Sequence, residues 1–532
     1  MRTPGKSGLA GAAALAVAAC LTTTLSACAP ERVEEPTATE LATFLDGTTI
    51  PDLQTAMDSD EVTAEQLTAG YLQRIEELDP RLEAVVQTNP DALALARESD
   101  ERRADSRPRG PLEGIPVLLK ENIDTHDSQT TTAGSTALSE SRPAADAVVV
   151  ERLRDAGAIV LGKTNMTEWA NFYSSTQVPG WSAFGGQTRN AYDQDRSPCG
   201  SSSGSAVAAA AALAVVTIGT DTGGSITCPA TAASTVGVKP TLGLVSRTGI
   251  VPITHRQDMP GPIARTVEDA VVTLSVIAGP DPADPATQST EAHPFTVDEV
   301  LDATALDGAR VGVWREGHES IDAEADRLFD AAVAELERQG ATVVEGADVA
   351  DIGDLVMPHL YPALLTEFRH DLNRYLAATP GEHPQTLTEL IAYNEEHADV
   401  ELPGLEQDIL LLADQTDGDL DGAEYRQHRG IATAQAQASI DDVLQEHDLD
   451  AIVTLTDLPS GPLLDNEPRG FRDSARSTSI GGYPHVTVPA GYTDAGLPVG
   501  LSFIGTGLSD TDLLGYAYAY EQATELRRAP KY

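Results

Sequence analysis

Residues 197–226 read SPCGSSSGSAVAAAAALAVVTIGTDTGGSI. Two glycine-rich serine turns bracket a run that is apolar on every side. AVAAAAALAVV, 206–216, is too short to span a membrane and is flanked by glycines. It reads as a buried helix running into the strand VVTIG.

The same rhythm recurs upstream. GIPVLLK, 114–120, is a continuous apolar run after Gly and Pro, the mark of a buried strand, and it ends on a lysine. AADAVVVERLRDAG reads as a helix stopped by Gly157, AIVLGK as another buried strand, and TNMTEWANF as a helix. DSDEVTAEQLTAGYLQRIEELD, 58–79, has apolar positions at three and four and begins near a Ser or Asp cap. Downstream, GARVGVW and ATVVEGADV read as strands around the helix AEADRLFDAAVAELERQG, and 355–445 is mostly helical. DAIVTLT, HVTVPAGY and LPVGLSFIGT return to strands, and DTDLLGYAYAYEQATEL closes as a helix. The alternation predicts an α/β protein with a central mixed sheet covered by helices. One domain is expected over about 41–532, with a helical insertion at about 320–445.

The 532 residues are 41% hydrophobic and 22% charged, ample for a large core. The formal charge of −47 argues against nucleic acid as a partner, because a polyanion needs a basic face. The acidity is spread along the chain and reads as a solvated surface. At the N-terminus, Arg2 and Lys6 precede the apolar stretch GLAGAAALAVAACLTTT and then LSAC, Leu25 to Cys28. This resembles a bacterial lipobox: residues 1–27 would be the signal, Cys28 the lipidated end, and 28–40 a polar tether. An ordinary secretory signal cut nearby is the plainer alternative. The expected location is exported, on the cell envelope or secreted. Cys199 lies in the opening stretch and Cys228 two residues beyond it; in an exported protein they could pair, and two small buried thiols are the simpler reading.

Several chemistries lack their residues. There is no H-E-x-x-H, no Cys/His spacing for zinc, and no lysine after the glycines near 200–205 to make a phosphate cradle. DGDLDG, 417–422, resembles the front of a calcium loop, but position twelve would be His428, so an acidic turn fits better. GSSSG, 200–204, matches G-x-S-x-G and would make Ser202 the nucleophile of an α/β-hydrolase elbow, as in an esterase. That elbow needs a strand directly before it, and NAYDQDRSPC is polar and turn-rich.

GTDTGGSI, 219–226, follows a strand and sets Ser225 behind two glycines that let backbone N–H groups converge on an oxyanion. A serine needs a base. No histidine sits in these motifs, but a buried lysine at a strand end can serve, because burial disfavours its charge, and Lys120 is such a lysine.

GIPVLLKENID, LGKTNMTEWANF, SPCGSSSGSAVAAA, GTDTGGSITCPA and GVKPTLGLVSRTGIVP, in this order over 114–270, resemble the amidase signature family. The resemblance resumes in YPHVTVPAGYTDAGLPVGLSFIG. It implies an amidase-signature α/β fold, a mixed twisted sheet with helices on both faces, and a hydrolase using a Ser–cisSer–Lys triad without metal or organic cofactor. Carried over by motif, the lysine is Lys120, the bridging serine beside a cis peptide bond is Ser201, and the nucleophile is Ser225. The implied oxyanion donors are the N–H groups of Thr222, Gly223, Gly224 and Ser225. Asn171 and Phe172 are candidate pocket lining, and Asp221 and Arg265 are read as structural. IAGPDPADPATQ and AYAYEQAT look like the peptide-amidase-like branch, which would make the substrate a C-terminal peptide amide and the product ammonia. The rival from another class is an envelope lipoprotein that binds peptides without turnover.

Overall fold

The computed structural model describes residues 44–289, 295–463 and 474–532. The signal, the 28–40 tether and Cys28 lie outside the described residues. Eleven strands form one mixed sheet. In chain order they are β1 Val85–Thr88, β2 Pro116–Lys120, β3 Ile159–Thr164, β4 Val216–Asp221, β5 Val236–Lys239, β6 Met259–Ala264, β7 Arg310–Val313, β8 Thr342–Glu345, β9 Ala451–Leu455, β10 His485–Tyr492 and β11 Pro498–Ile504. The spatial order is β1-β3-β2-β4-β6-β5-β10-β11-β9-β7-β8. β2 runs parallel to β3 and β4, while β6 runs antiparallel to β4.

The central strands β2, β3, β4 and β6 are buried at every position. A strand with no wet face must be covered on both sides. The Ser203–Ala210 and Thr227–Ala232 helices pack on each other and on the sheet. A second pair, Val267–Ile277 and Asp510–Thr524, packs together against β6 and β10. The Ser203–Ala210 helix is buried all round, as its alanine-rich sequence demands.

Three readings need correction. TNMTEWANF forms no α-helix; Glu168–Asn171 is a short 3-10 turn, with Trp169, Ala170 and Asn171 in left-handed backbone. Tertiary bonds hold it there: Ala133 accepts from the Trp169 N–H, and the Glu168 carboxylate accepts from Ala183. The helix of residues 58–79 begins at Ala64, capped by Thr63 in a capping box with Gln66, not by an upstream Ser or Asp. The helical section is entered only at Gly353, because the Ala323–Arg338 helix packs on the sheet and β8 is its edge strand.

In the acidic turn, Asp417 and Asp419 each accept the N–H two residues on. Among the described residues, the one set of three His, Cys, Asp or Glu side chains close enough to share a metal ion is Cys199, Cys228 and Asp457. There the two sulfurs are joined: Cys199 and Cys228 form a disulfide, with Cα atoms 5.9 Å apart. No helix among the described residues is long and apolar enough to cross a membrane.

Candidate active site

The parallel pairing of β2 and β4 brings their C-terminal ends side by side. β2 ends on Lys120 and β4 on Thr220 and Asp221. Strand C-termini are where open α/β sheets build sites, because the chain must turn out of the sheet there. The turn after Cys199 delivers Ser201, and the turn after Asp221 delivers Ser225.

Lys120 is 0% exposed. Its amine lies 2.8 Å from Ser201 Oγ, 2.8 Å from Thr220 Oγ1 and 3.2 Å from the Thr220 carbonyl. Burial pushes its pKa down to about 7, against the pull of Asp221 and Asp258. An appreciable fraction is thus neutral at neutral pH. A second buried lysine, Lys163, donates instead to the Ile123 carbonyl and Thr131 Oγ1.

The peptide bond between Gly200 and Ser201 is cis. The Ser201 carbonyl accepts from the Thr167 N–H at 3.0 Å. Gly200 has to be glycine: a Cβ there would lie 2.3 Å from Thr167 Oγ1. The Ser202 N–H donates to the Ser225 carbonyl at 3.1 Å, which docks the two turns together. The disulfide ties them again, two residues before Ser201 and three after Ser225.

Ser202 is overturned as the nucleophile of an α/β-hydrolase elbow. It is fully buried, and its hydroxyl donates to the Thr220 carbonyl at 3.0 Å. It stitches the turn to β4, and the residues before it form no strand.

Ser225 is 9% exposed and opens into a cavity of about 290 Å³. Asn171 and Phe172 line this cavity beside Thr222 and Gly223. Among the described residues the Ser225 hydroxyl makes no hydrogen bond, so it is free to meet a ligand or Ser201. Phe172 is braced edge-on by Phe368, with ring centres 5.0 Å apart. A second cavity of about 350 Å³, lined by Arg265, Asp269 and Glu521, holds neither Lys120 nor the two serines.

The four N–H groups expected to face an oxyanion do not all do so. Gly224 donates to Asp221 Oδ1 at 2.9 Å, and Ile226 donates to Asp221 Oδ2 at 2.7 Å. Gly224 is therefore removed from the donor set: its N–H is spent on folding the turn. The N–H groups of Thr222, Gly223 and Ser225 meet no acceptor among the described residues. Asp221 is the organiser, taking Ser479 Oγ as well at 3.0 Å. Arg265 acts far from this chemistry, donating to the carbonyls of Ala214 and Leu45.

The sequence profile of the amidase family matches residues 66–514. The chain belongs to the amidase family. A probable amidase of Arabidopsis thaliana is 41% identical over 494 residues, 91% of each chain. The crystal structure of a peptide amidase from Stenotrophomonas maltophilia superposes with a TM-score of 0.87 at 45% identity, covering 92% of this chain and 99% of that one. That of an amidase family protein from Bacillus anthracis superposes with a TM-score of 0.85 at 32% identity, covering 93% of this chain and 94% of that one. This amidase is thus an amide hydrolase of α/β fold, in keeping with the peptide-amidase-like branch, and the reading as a binding protein without turnover falls away.

Several residues that shape the site carried no sequence signal. Leu360 and Leu364 reach the cavity from the Gly353–Ala378 helix, and Arg476 and Ile480 from the Ser474–Gly481 helix. Their spacing of four is that of one helix face, which any packed helix shows. Thr220 and Asn122 sit inside GTDTGGSI and GIPVLLKENID, where nothing local distinguishes them from their neighbours. Their side chains meet only once β2 and β4 are paired.

Proposed function

We propose that this amidase cleaves C-terminal peptide amides with a Lys120–Ser201–Ser225 triad. The carrying observation is the 2.8 Å contact between a fully buried lysine and Ser201 Oγ. A lysine held near pKa 7 has a lone pair to give at working pH. Ser225 Oγ attacks the amide carbon as its proton passes to Ser201, whose own proton passes to Lys120 Nζ. The oxyanion is met by the N–H groups left free in the Thr222–Ser225 turn. The C–N bond then breaks, and the proton returns through Ser201 to the leaving nitrogen, which departs as ammonia. Water repeats the sequence on the acyl-enzyme and frees Ser225.

The peptide-amide substrate is supported by the likeness to the Stenotrophomonas peptide amidase. The cavity walls of Phe172, Ile253, Leu360 and Ile480 favour an apolar side chain next to the amide. Ammonia release from C-terminally amidated dipeptides by residues 29–532, beside Ser225→Ala, tests the reading. Ammonia from the unaltered enzyme alone supports it; ammonia from neither folded protein sinks the peptide-amide substrate.

The same proposal places the enzyme on the bacterial envelope through a lipid on Cys28, as the LSAC stretch suggests. The full chain should fractionate with membranes and Cys28→Ala should not. Equal solubility of both would leave only a secretory signal.

A further inference from the structure

A lysine that serves as base must have its lone pair aimed at the proton it takes. A neutral amine has two hydrogens and one lone pair, and nothing in a lysine side chain fixes which way each points. Thr220 offers two acceptors at once, Oγ1 at 2.8 Å and its carbonyl at 3.2 Å from Nζ. That carbonyl also accepts the Ser202 hydroxyl at 3.0 Å, so its two lone pairs serve Ser202 and Lys120. The Thr220 hydroxyl is steadied in turn by Asn122, whose Nδ2 donates to Oγ1 at 3.0 Å.

Resting on the triad reading, the geometry points to Thr220 as the positioning residue of the base: it holds both hydrogens of the neutral Lys120 amine and leaves the lone pair facing Ser201. The three contacts fit both protonation states. With the amine neutral, Ser201 donates its proton toward Nζ. Once the proton has moved, the ammonium has three hydrogens and the same three acceptors. No group has to turn during transfer, which is what a preorganised base requires. Asn122 acts one step further out, by fixing the Thr220 hydroxyl. None of these roles is visible from Lys120, Ser201 and Ser225 alone.

Thr220→Val removes Oγ1 and keeps the shape of the side chain. Because Oγ1 favours the ammonium more than the amine, its loss moves the acid limb of kcat/KM to lower pH, by about half to one unit. The misaimed lone pair lowers kcat roughly ten- to hundredfold, with KM unchanged. Thr220→Ser restores Oγ1 and should recover both kcat and the pH limb. A purely structural threonine would lower activity without moving that limb. The charged groups acting on the amine, Asp221 and Asp258, stay in place in all these variants.

The experiment is a pH profile of ammonia release for the unaltered enzyme, Thr220→Val, Thr220→Ser and Lys120→Ala. A lowered kcat and a shifted limb in Thr220→Val, both rescued by Ser, support the proposal. An unchanged kcat and limb in Thr220→Val beside an inactive Lys120→Ala overturns it and leaves the triad standing. An active Lys120→Ala overturns the triad, and the positioning role with it. If the valine variant does not fold, Asn122→Ala is read instead. It should lower kcat with a limb shift in the same direction, and an unaltered profile there overturns the proposal.

Discussion

On the proposed mechanism, Lys120 sets the working pH of this enzyme. Its amine is charged below about pH 7 and neutral above, because burial penalises the ammonium. kcat/KM should therefore rise from acid to neutral pH with a midpoint close to 7, read from initial rates at low substrate. Lys120→Arg keeps a cation but no base, and should cost about 10²- to 10⁴-fold at every pH. A profile flat from pH 5 to 9 would remove lysine as the base. The two glycines ahead of Ser225 make a second residue-scale test. A Cβ on Gly223 meets nothing within 4 Å, whereas Gly224 has φ +97 and a Cβ there would lie 3.1 Å from the Ala475 Cβ. Gly224→Ala should lose about 1–2 kcal/mol of stability to its left-handed backbone, and Gly223→Ala little, as chemical denaturation would report. Equal losses would contradict that assignment. At this scale the sequence motifs name Lys120, Ser201 and Ser225, and the structure brings the first two into contact. It was silent on which N–H groups stay free, because that depends on how the Asp221 carboxylate folds back onto Gly224 and Ile226.

The elements that carry the site are two turns, and they are cross-linked as well as hydrogen-bonded. The disulfide closes a segment of 29 residues around the Ser203–Ala210 helix and β4. Tethering a loop of that length should contribute about 3–4 kcal/mol by restricting the unfolded chain. A Cys199→Ser/Cys228→Ser enzyme should unfold at a correspondingly lower denaturant concentration, and an unchanged midpoint would contradict the tether. Eight of the eleven strands were readable as short apolar runs, as GIPVLLK is for β2; β1, β5 and β6 were not, β1 being partly exposed and β6, MPGPIA, carrying two prolines. The 168–171 turn was not. Its residues suit a helix locally, and bonds to Ala133, Gln177 and Ala183 hold it otherwise. The boundary of the helical section failed for a related reason. The Ala323–Arg338 helix looks like its neighbours downstream, and only its packing against β8, β9, β10 and β11 assigns it to the sheet.

The whole molecule carries a formal charge of −47, and its fold adds to the cost of that charge at neutral pH. Burial raises Asp79, Asp258 and Asp269 to about 6, Glu121 and Asp124 to about 7, and Glu521 to about 8. Each raised carboxyl binds a proton more tightly folded than unfolded. Its contribution is present below the unfolded pKa near 4, and is lost as pH rises through the folded value. The paired carboxyls Glu113, Asp127, Asp284 and Asp371 are shifted the other way. Their contribution is present above the unfolded pKa and disappears only as pH falls below it. Lys120 and Lys239, lowered to about 7 and 8, are neutral above those values when folded but charged up to about pH 10 when unfolded. They therefore cost stability as pH falls through that window, and the loss is complete below the folded values; they offset the raised acids only above about pH 7. The raised acids outnumber the two lysines, and self-repulsion of the acidic surface grows in the same direction. The melting temperature should therefore peak between about pH 4.5 and 6 and fall toward pH 8. Added salt screens the surface but not the buried carboxyls. Salt should thus raise the melting temperature at pH 8 by several degrees, and hardly at all at pH 5. Scanning calorimetry at low and high salt across that range reads both terms. A pH dependence that vanished entirely in salt would assign it to the surface alone. A dependence indifferent to salt would assign it to the buried acids.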